Sequence, residues 1–111
     1  MVKIPRLCLV VILLFSAGLT AQSKGKIHGN VTDSSNNEIP GVTIRLTNTQ
    51  TKTVYQMNTD TTGSFQFEVP AGTYEISAYL KGFEERRFSN LKVKDGATLS
   101  QDFVLMIAPR K

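Results

Sequence analysis

The chain has 111 residues, a formal charge of +4, one cysteine, one histidine and no tryptophan. That length allows one small domain and a leader, and a single Cys excludes a disulfide scaffold or a cysteine-based metal site. The basic residues are scattered, with Arg86-Arg87 directly after Glu84-Glu85 and small groups at Lys92/Lys94 and Arg110-Lys111; no continuous basic face points to nucleic acid as a partner.

Residues 1–21 read as a secretory signal-peptide helix. Lys3 and Arg6 give the positive start, Leu7–Phe15 the apolar run and Ser16–Ala21 the small-residue end. The apolar run is far short of the roughly 20 residues that span a bilayer. Cleavage is expected after Ala21, with Gly18 as the alternative because Ser16 then stands at minus three. Cys8 opens the apolar run, so it is not placed for lipidation, and it leaves with the signal. The mature domain must therefore hold together by packing alone. Export to the periplasm or cell surface is expected, with no stable membrane span after cleavage.

The rest of the chain alternates apolar and polar residues with the period of β-strands. A first strand is predicted over Lys26–Thr32, with Ile27, Gly29 and Val31 inward and His28 outward. Asp33–Ile39 is a turn cluster, since Asp, Ser and Asn bond their own backbone. Gly41–Thr47 carries Val42, Ile44 and Leu46 on one face. Asn48–Lys52 is a polar loop. Thr53–Thr59, with Tyr55 and Met57 inward, has the weakest apolar face and is expected at a sheet edge.

Asn58–Tyr79 is the stretch around which the domain is organised. Phe65, Phe67 and Val69 alternate with polar residues, Pro70-Ala71-Gly72 reverses the chain, and Tyr74, Ile76 and Ala78 alternate again. Two such strands with a three-residue connection are expected to form a hairpin. Gly82 and Phe83 break the pattern: Gly82 allows a positive φ, and Phe83 can fold back as a plug that caps one end of the core. Glu84–Val93 is extended, with Ser89-Asn90 out of period and hence a predicted bulge. Lys94-Asp95-Gly96 is a turn, Thr98–Met106 the last strand and Ala108–Lys111 a frayed tail. The predicted core is Ile27, Val31, Val42, Ile44, Leu46, Tyr55, Phe65, Phe67, Tyr74, Ile76, Leu80, Leu91, Val93, Phe103 and Leu105.

Seven short strands without helical periodicity point to an all-β, Greek-key, antiparallel sandwich, Ig-like in type. The punctuation adds to this: Ile27-x-Gly29-x-Val31-x-Asp33, Ile39-Pro40-Gly41-Val42-x-Ile44, Thr59-Asp60-x-x-Gly63-x-Phe65, Pro70-Ala71-Gly72-x-Tyr74-x-Ile76 and Gly82-Phe83. In that order and spacing these motifs resemble the carboxypeptidase regulatory-like domain, a transthyretin-like seven-stranded sandwich, over residues 26–107. The resemblance implies an accessory, non-catalytic module. Asp60, Gly63, Gly72 and Tyr74 then read as turn and corner residues; the tyrosine ring is buried and its hydroxyl bonds nearby backbone.

Chemistry-bearing groups are few. Thr59–Gly63 offers one carboxylate, where a calcium loop needs several oxygen ligands close in sequence. His28 has no second histidine for zinc and no triad partners. The 5-hydroxyisourate hydrolases of similar fold use more than one histidine and a C-terminal Tyr-Arg-Gly-Ser; this chain ends Ala108-Pro109-Arg110-Lys111. A Lys26–Asp102 isopeptide crosslink, as in pilin-type domains, is disfavoured because Asp102 is expected outward. No catalytic residue, metal or cofactor is therefore expected. The sequence points to a monomeric binding module serving an envelope protein through the Thr53–Thr59 edge, or alternatively a glycan through Tyr79, Phe83 and Phe88.

Overall fold

The computed structural model describes residues 24–109; the expected leader, 1–21, and Arg110-Lys111 lie outside them. Eight strands follow one another: β1 (Lys24–Asp33), β2 (Thr43–Asn48), β3 (Val54–Asn58), β4 (Ser64–Pro70), β5 (Gly72–Tyr79), β6 (Arg86–Val93), β7 (Thr98–Ser100) and β8 (Phe103–Leu105). One sheet has the order β4-β1-β7, with β8 also on β1; the other has the order β3-β2-β5-β6. Apolar side chains from both sheets form one core, and Phe88 of β6 meets Phe103 of β8 across it at 5.3 Å between ring centroids. The domain is an all-β sandwich.

Three features differ from the sequence expectation. The first concerns β4 and β5, which do not form a hairpin. β4 pairs with β1, and β5 pairs with β2 and β6. Pro70-Ala71-Gly72 therefore carries the chain from one sheet to the other. A hairpin and an arch both require one apolar face per strand, so period-two alternation does not separate them. The Tyr74 hydroxyl, reaching back to donate to Pro70 O at 2.7 Å, fastens the arch.

Second, the last strand is split, and the sheets are not wholly antiparallel. β7 and β8 both run parallel to β1, with Ile27 opposite Leu99 and Val31 opposite Phe103. The break at Gln101-Asp102 lies against Gly29. A Cβ on Gly29 would stand 2.0 Å from Gln101 O, so only glycine permits this approach. Gln101 N–H donates to His28 O at 2.8 Å, and Asp102 Oδ1 accepts the N–H of Asn30 at 2.9 Å. The break is thus hydrogen-bonded to β1 although it leaves the ladder.

Third, the start of the tail is held. Ala108 N–H donates to Gly82 O at 3.0 Å, and Ile107 bridges Phe83. The corner after β5 and the end of the domain secure each other.

The buried core contains most of the expected residues and adds Ile39, Val69 and Ala78; Tyr55, Leu80 and Leu91 are half-buried at its margin. The predicted bulge is present. Between Tyr74/Leu91 and Ile76/Phe88, β5 advances by two residues and β6 by three, and Asn90 has a φ of 60°.

Candidate binding surface

The turn residues form a consistent device. Asp60 Oδ1 accepts the N–H groups of Thr62 and Ser64, both at 2.9 Å, and the Thr62 hydroxyl at 2.8 Å. Gly63 N–H closes the turn on Asp60 O at 2.9 Å, with a φ of 76° at Gly63. The same arrangement recurs at Asp33: Oδ1 accepts Ser35 N–H at 2.8 Å and Asn37 N–H at 2.9 Å, and Asn36, with a φ of 69°, closes on Asp33 O. In each turn the aspartate caps N–H groups two and four residues ahead, and a left-handed residue sits third. These bonds hold both carboxyls below the usual range; the largest contributors are the N–H of Ser64 for Asp60 and of Asn37 for Asp33.

The Tyr74 ring is fully buried, and that burial pushes its phenol above the ordinary value. Gly72 stands where a Cβ would be 3.0 Å from Asn48 Nδ2. Asn48 in turn caps the β2–β3 loop, its Oδ1 accepting Gln50 and Thr51 N–H at 2.9 Å each. Asp60, Gly63 and Tyr74 are therefore engaged with backbone, and Gly72 leaves room for the Asn48 side chain.

Thr59 carries a role that alternation does not reveal. It is buried, its hydroxyl donates to Ile39 O and accepts from Val42 N–H, both at 2.9 Å, and its own N–H donates to Val42 O. This clamps the loop entering β2 onto the end of β3. Its position directly before Asp60 is the only sequence signal for it.

The three aromatic candidates separate. Tyr79 is 49% exposed and belongs to none of the close ring pairs among the described residues. Phe83 and Phe88 are half-buried against the core, and the Arg86 guanidinium lies 5.5 Å from the Phe88 ring centre. They do not form a common exposed platform with Tyr79.

His28 is exposed and lines a shallow groove of about 390 Å³ with Asn30, Met57, Asp60, Ser64, Phe65 and Gln66. Among the described residues no three His, Cys, Asp or Glu side chains cluster as a metal would require. Lys26 is in register with Thr98, whereas Asp102 bonds Asn30, four residues further along β1. At about 3.3 Å per residue that separates the two side chains' attachment points too far for an isopeptide bond.

Sheet edges remain. β6 is bulged and carries Arg86, Arg87 and Lys92. Arg87 is engaged with Glu85 at 3.0 Å and Glu75 at 3.2 Å. At β4 the Asp60 turn occupies the Ser64 N–H and C=O, Glu68 is exposed, and Pro70 lacks an N–H. β7 and β8 are interrupted, and the Glu84 N–H donates to Met106 O beside them. β3 has none of these protections. Its sequence, VYQMN, has no charge, proline or bulge. Thr59 N–H bonds Val42 O and Asn48 N–H bonds Thr53 O; with the β2–β3 register, the backbone groups of Tyr55 and Met57 face β2. Those of Val54, Gln56 and Asn58 face outward. Unprotected edges of this kind are templates for another strand.

A family model described as the carboxypeptidase regulatory-like domain matches residues 26–106. No curated protein matches the chain. Among solved structures, the Bacillus anthracis TIE protein superposes with a TM-score of 0.60 at 18% identity, over 77% of this chain and 17% of that one. Catechol 1,2-dioxygenase from Pseudomonas arvilla C-1 gives 0.64 at 12% identity, over 81% and 54%. Hydroxyquinol 1,2-dioxygenase from Pseudomonas putida gives 0.62 at 8%, over 81% and 58%. The chain spans less than two thirds of each of these proteins, and identities this low show a shared fold alone. The family match covers almost all of the described sandwich, including every motif from Ile27 to Gly82-Phe83, and the chain belongs to the carboxypeptidase regulatory-like domain family.

Proposed function

We propose that this domain is a non-catalytic binding module, exported to the cell envelope, that engages a protein partner through the free edge of β3. The observation that carries this reading is the contrast between edges: among the described strands β3 alone combines unpaired backbone groups at Val54, Gln56 and Asn58 with an uncharged, unbulged strand. Strand addition to such an edge draws affinity from main-chain hydrogen bonds. The family supports the non-catalytic part, since its members are regulatory-like domains, and the apolar run at Leu7–Phe15 supports export.

Gln56→Pro tests this. Proline removes an outward N–H without removing a β2–β3 backbone hydrogen bond, and edge strands tolerate it there; Gln56→Ala, which likewise removes the side-chain acceptor of Arg45 but keeps the N–H, is the control and should retain the partner. An envelope protein retained by the wild-type domain and by Phe83→Ala should be lost with Gln56→Pro, while circular dichroism shows the sandwich retained. Retention unchanged in Gln56→Pro would sink the edge reading. Saccharide binding on a glycan array, abolished by Phe83→Ala, would replace it with the aromatic end.

A further inference from the structure

The strand that adds to β3 has a definable chemistry. We infer that the partner segment is an extended strand of about five residues with an apolar inner row, and that one inner side chain covers Met57 and the groove beside it. This rests on the edge reading above.

The inner row of β3 is incomplete. Tyr55 and Met57 lie in the same layer as Leu46 and Ile44, with which they pair. Leu46 and Ile44 are fully buried, whereas Tyr55 and Met57 are half-buried although packed on the same core. The difference is a neighbour: β2 has a strand on each side and β3 on one only. An added strand places its inner side chains about 5 Å from Tyr55 and Met57, the ordinary cross-strand distance. It gives them the cover that their β2 counterparts already have.

Met57 also lines the groove of about 390 Å³ that runs onto β4 by way of Phe65, Ser64 and Gln66. β3 and β4 are edges of opposite sheets and approach each other on this flank. A side chain inserted beside Met57 therefore reaches the groove mouth. Asp60 lies on the groove wall, which disfavours an acidic residue there. A charge of either sign on the inner row would be set against Tyr55 and Met57 without a partner. A second copy of this chain fits less well. Two-fold pairing through Gln56 sets Met57 against the second copy's Tyr55, whose ring is already packed on Tyr74 at 6.4 Å and is not free to enter the groove.

The probe is a pair of end-blocked peptides, Lys-Thr-Val-Thr-Val-Thr-Lys and the same peptide with both Val replaced by Ser, titrated into isotope-labelled domain and followed by NMR. The expected result is saturable shifts at the Val54, Gln56 and Asn58 amides and the Met57 methyl, with binding at least tenfold weaker for the Ser peptide and no shifts in Gln56→Pro. Equal binding of both peptides, lost in Gln56→Pro, leaves the edge reading standing and overturns this inference. Shifts that persist in Gln56→Pro, or no shifts at β3 with either peptide, overturn both. A dimer seen by sedimentation and dissolved by Gln56→Pro would make the occupant a second copy and also overturn the inference.

Discussion

At the scale of single residues, the domain is held by polar groups that bond backbone at fixed offsets. Asp33 and Asp60 are the main examples, and they set an acid limit on stability. Backbone N–H donors hold both carboxyls below their usual range, so the folded state binds fewer protons than the unfolded chain. Their stabilisation is full above the ordinary carboxylate range, near pH 4, and is lost as pH falls through the lowered folded values. The melting temperature should therefore drop as pH falls from 5 to 3, and the double variant Asp33→Asn, Asp60→Asn should show a flatter profile. Equal acid sensitivity in both proteins would contradict the assignment. Thr59 makes a second residue-scale claim. Thr59→Val keeps the shape but leaves Val42 N–H and Ile39 O without their buried partner. Denaturant unfolding should show a loss of about 1–3 kcal/mol, and Thr59→Ser should recover most of it.

At the scale of elements, the cross-sheet arch and the split last strand carry the architecture. Tyr74→Phe removes the hydroxyl bond to Pro70 O and keeps the ring; a loss of about 0.5–1.5 kcal/mol is expected in equilibrium unfolding. Gly29→Ala forces a Cβ into Gln101 O and should cost about 1–3 kcal/mol, the range for overpacking, with the β7–β8 amides losing exchange protection first. These two features also mark where the sequence stops being legible. Alternation located the strands and most inward residues, because one buried face imposes period two wherever the strand lies. It did not report which sheet each strand joins, since Phe65–Val69 and Tyr74–Ala78 would look the same as a hairpin. The parallel pairing of β7 and β8 with β1 was hidden likewise, because it depends on contacts about 70 residues apart in sequence. The edge position of β3 was legible, since a strand with one neighbour needs a weaker apolar row. The half-burial of Phe83 and Phe88 was legible too, Phe83 as a plug after Gly82 and Phe88 as an anchor of its strand; the groups that return to them, Ile107 and Phe103, were not.

At the scale of the whole molecule, a small sandwich without a disulfide among its described residues must manage several sheet edges. Bulge, charge, proline and a folded-back turn protect β6 and β4, and interruption shortens β7 and β8. Leaving β3 open is an exception that supports the proposed binding role, since an unprotected edge is otherwise an aggregation hazard. The family gives the scaffold, and the dioxygenase neighbours show only that the same scaffold occurs inside larger enzymes. The most direct measurement is amide hydrogen exchange of the domain, free and bound to the protein captured as its proposed partner. New protection at Val54, Gln56 and Asn58, with little change at Tyr79 and Phe83, is the expected result. Protection concentrated at Tyr79 and Phe83, with β3 unchanged, would contradict the account.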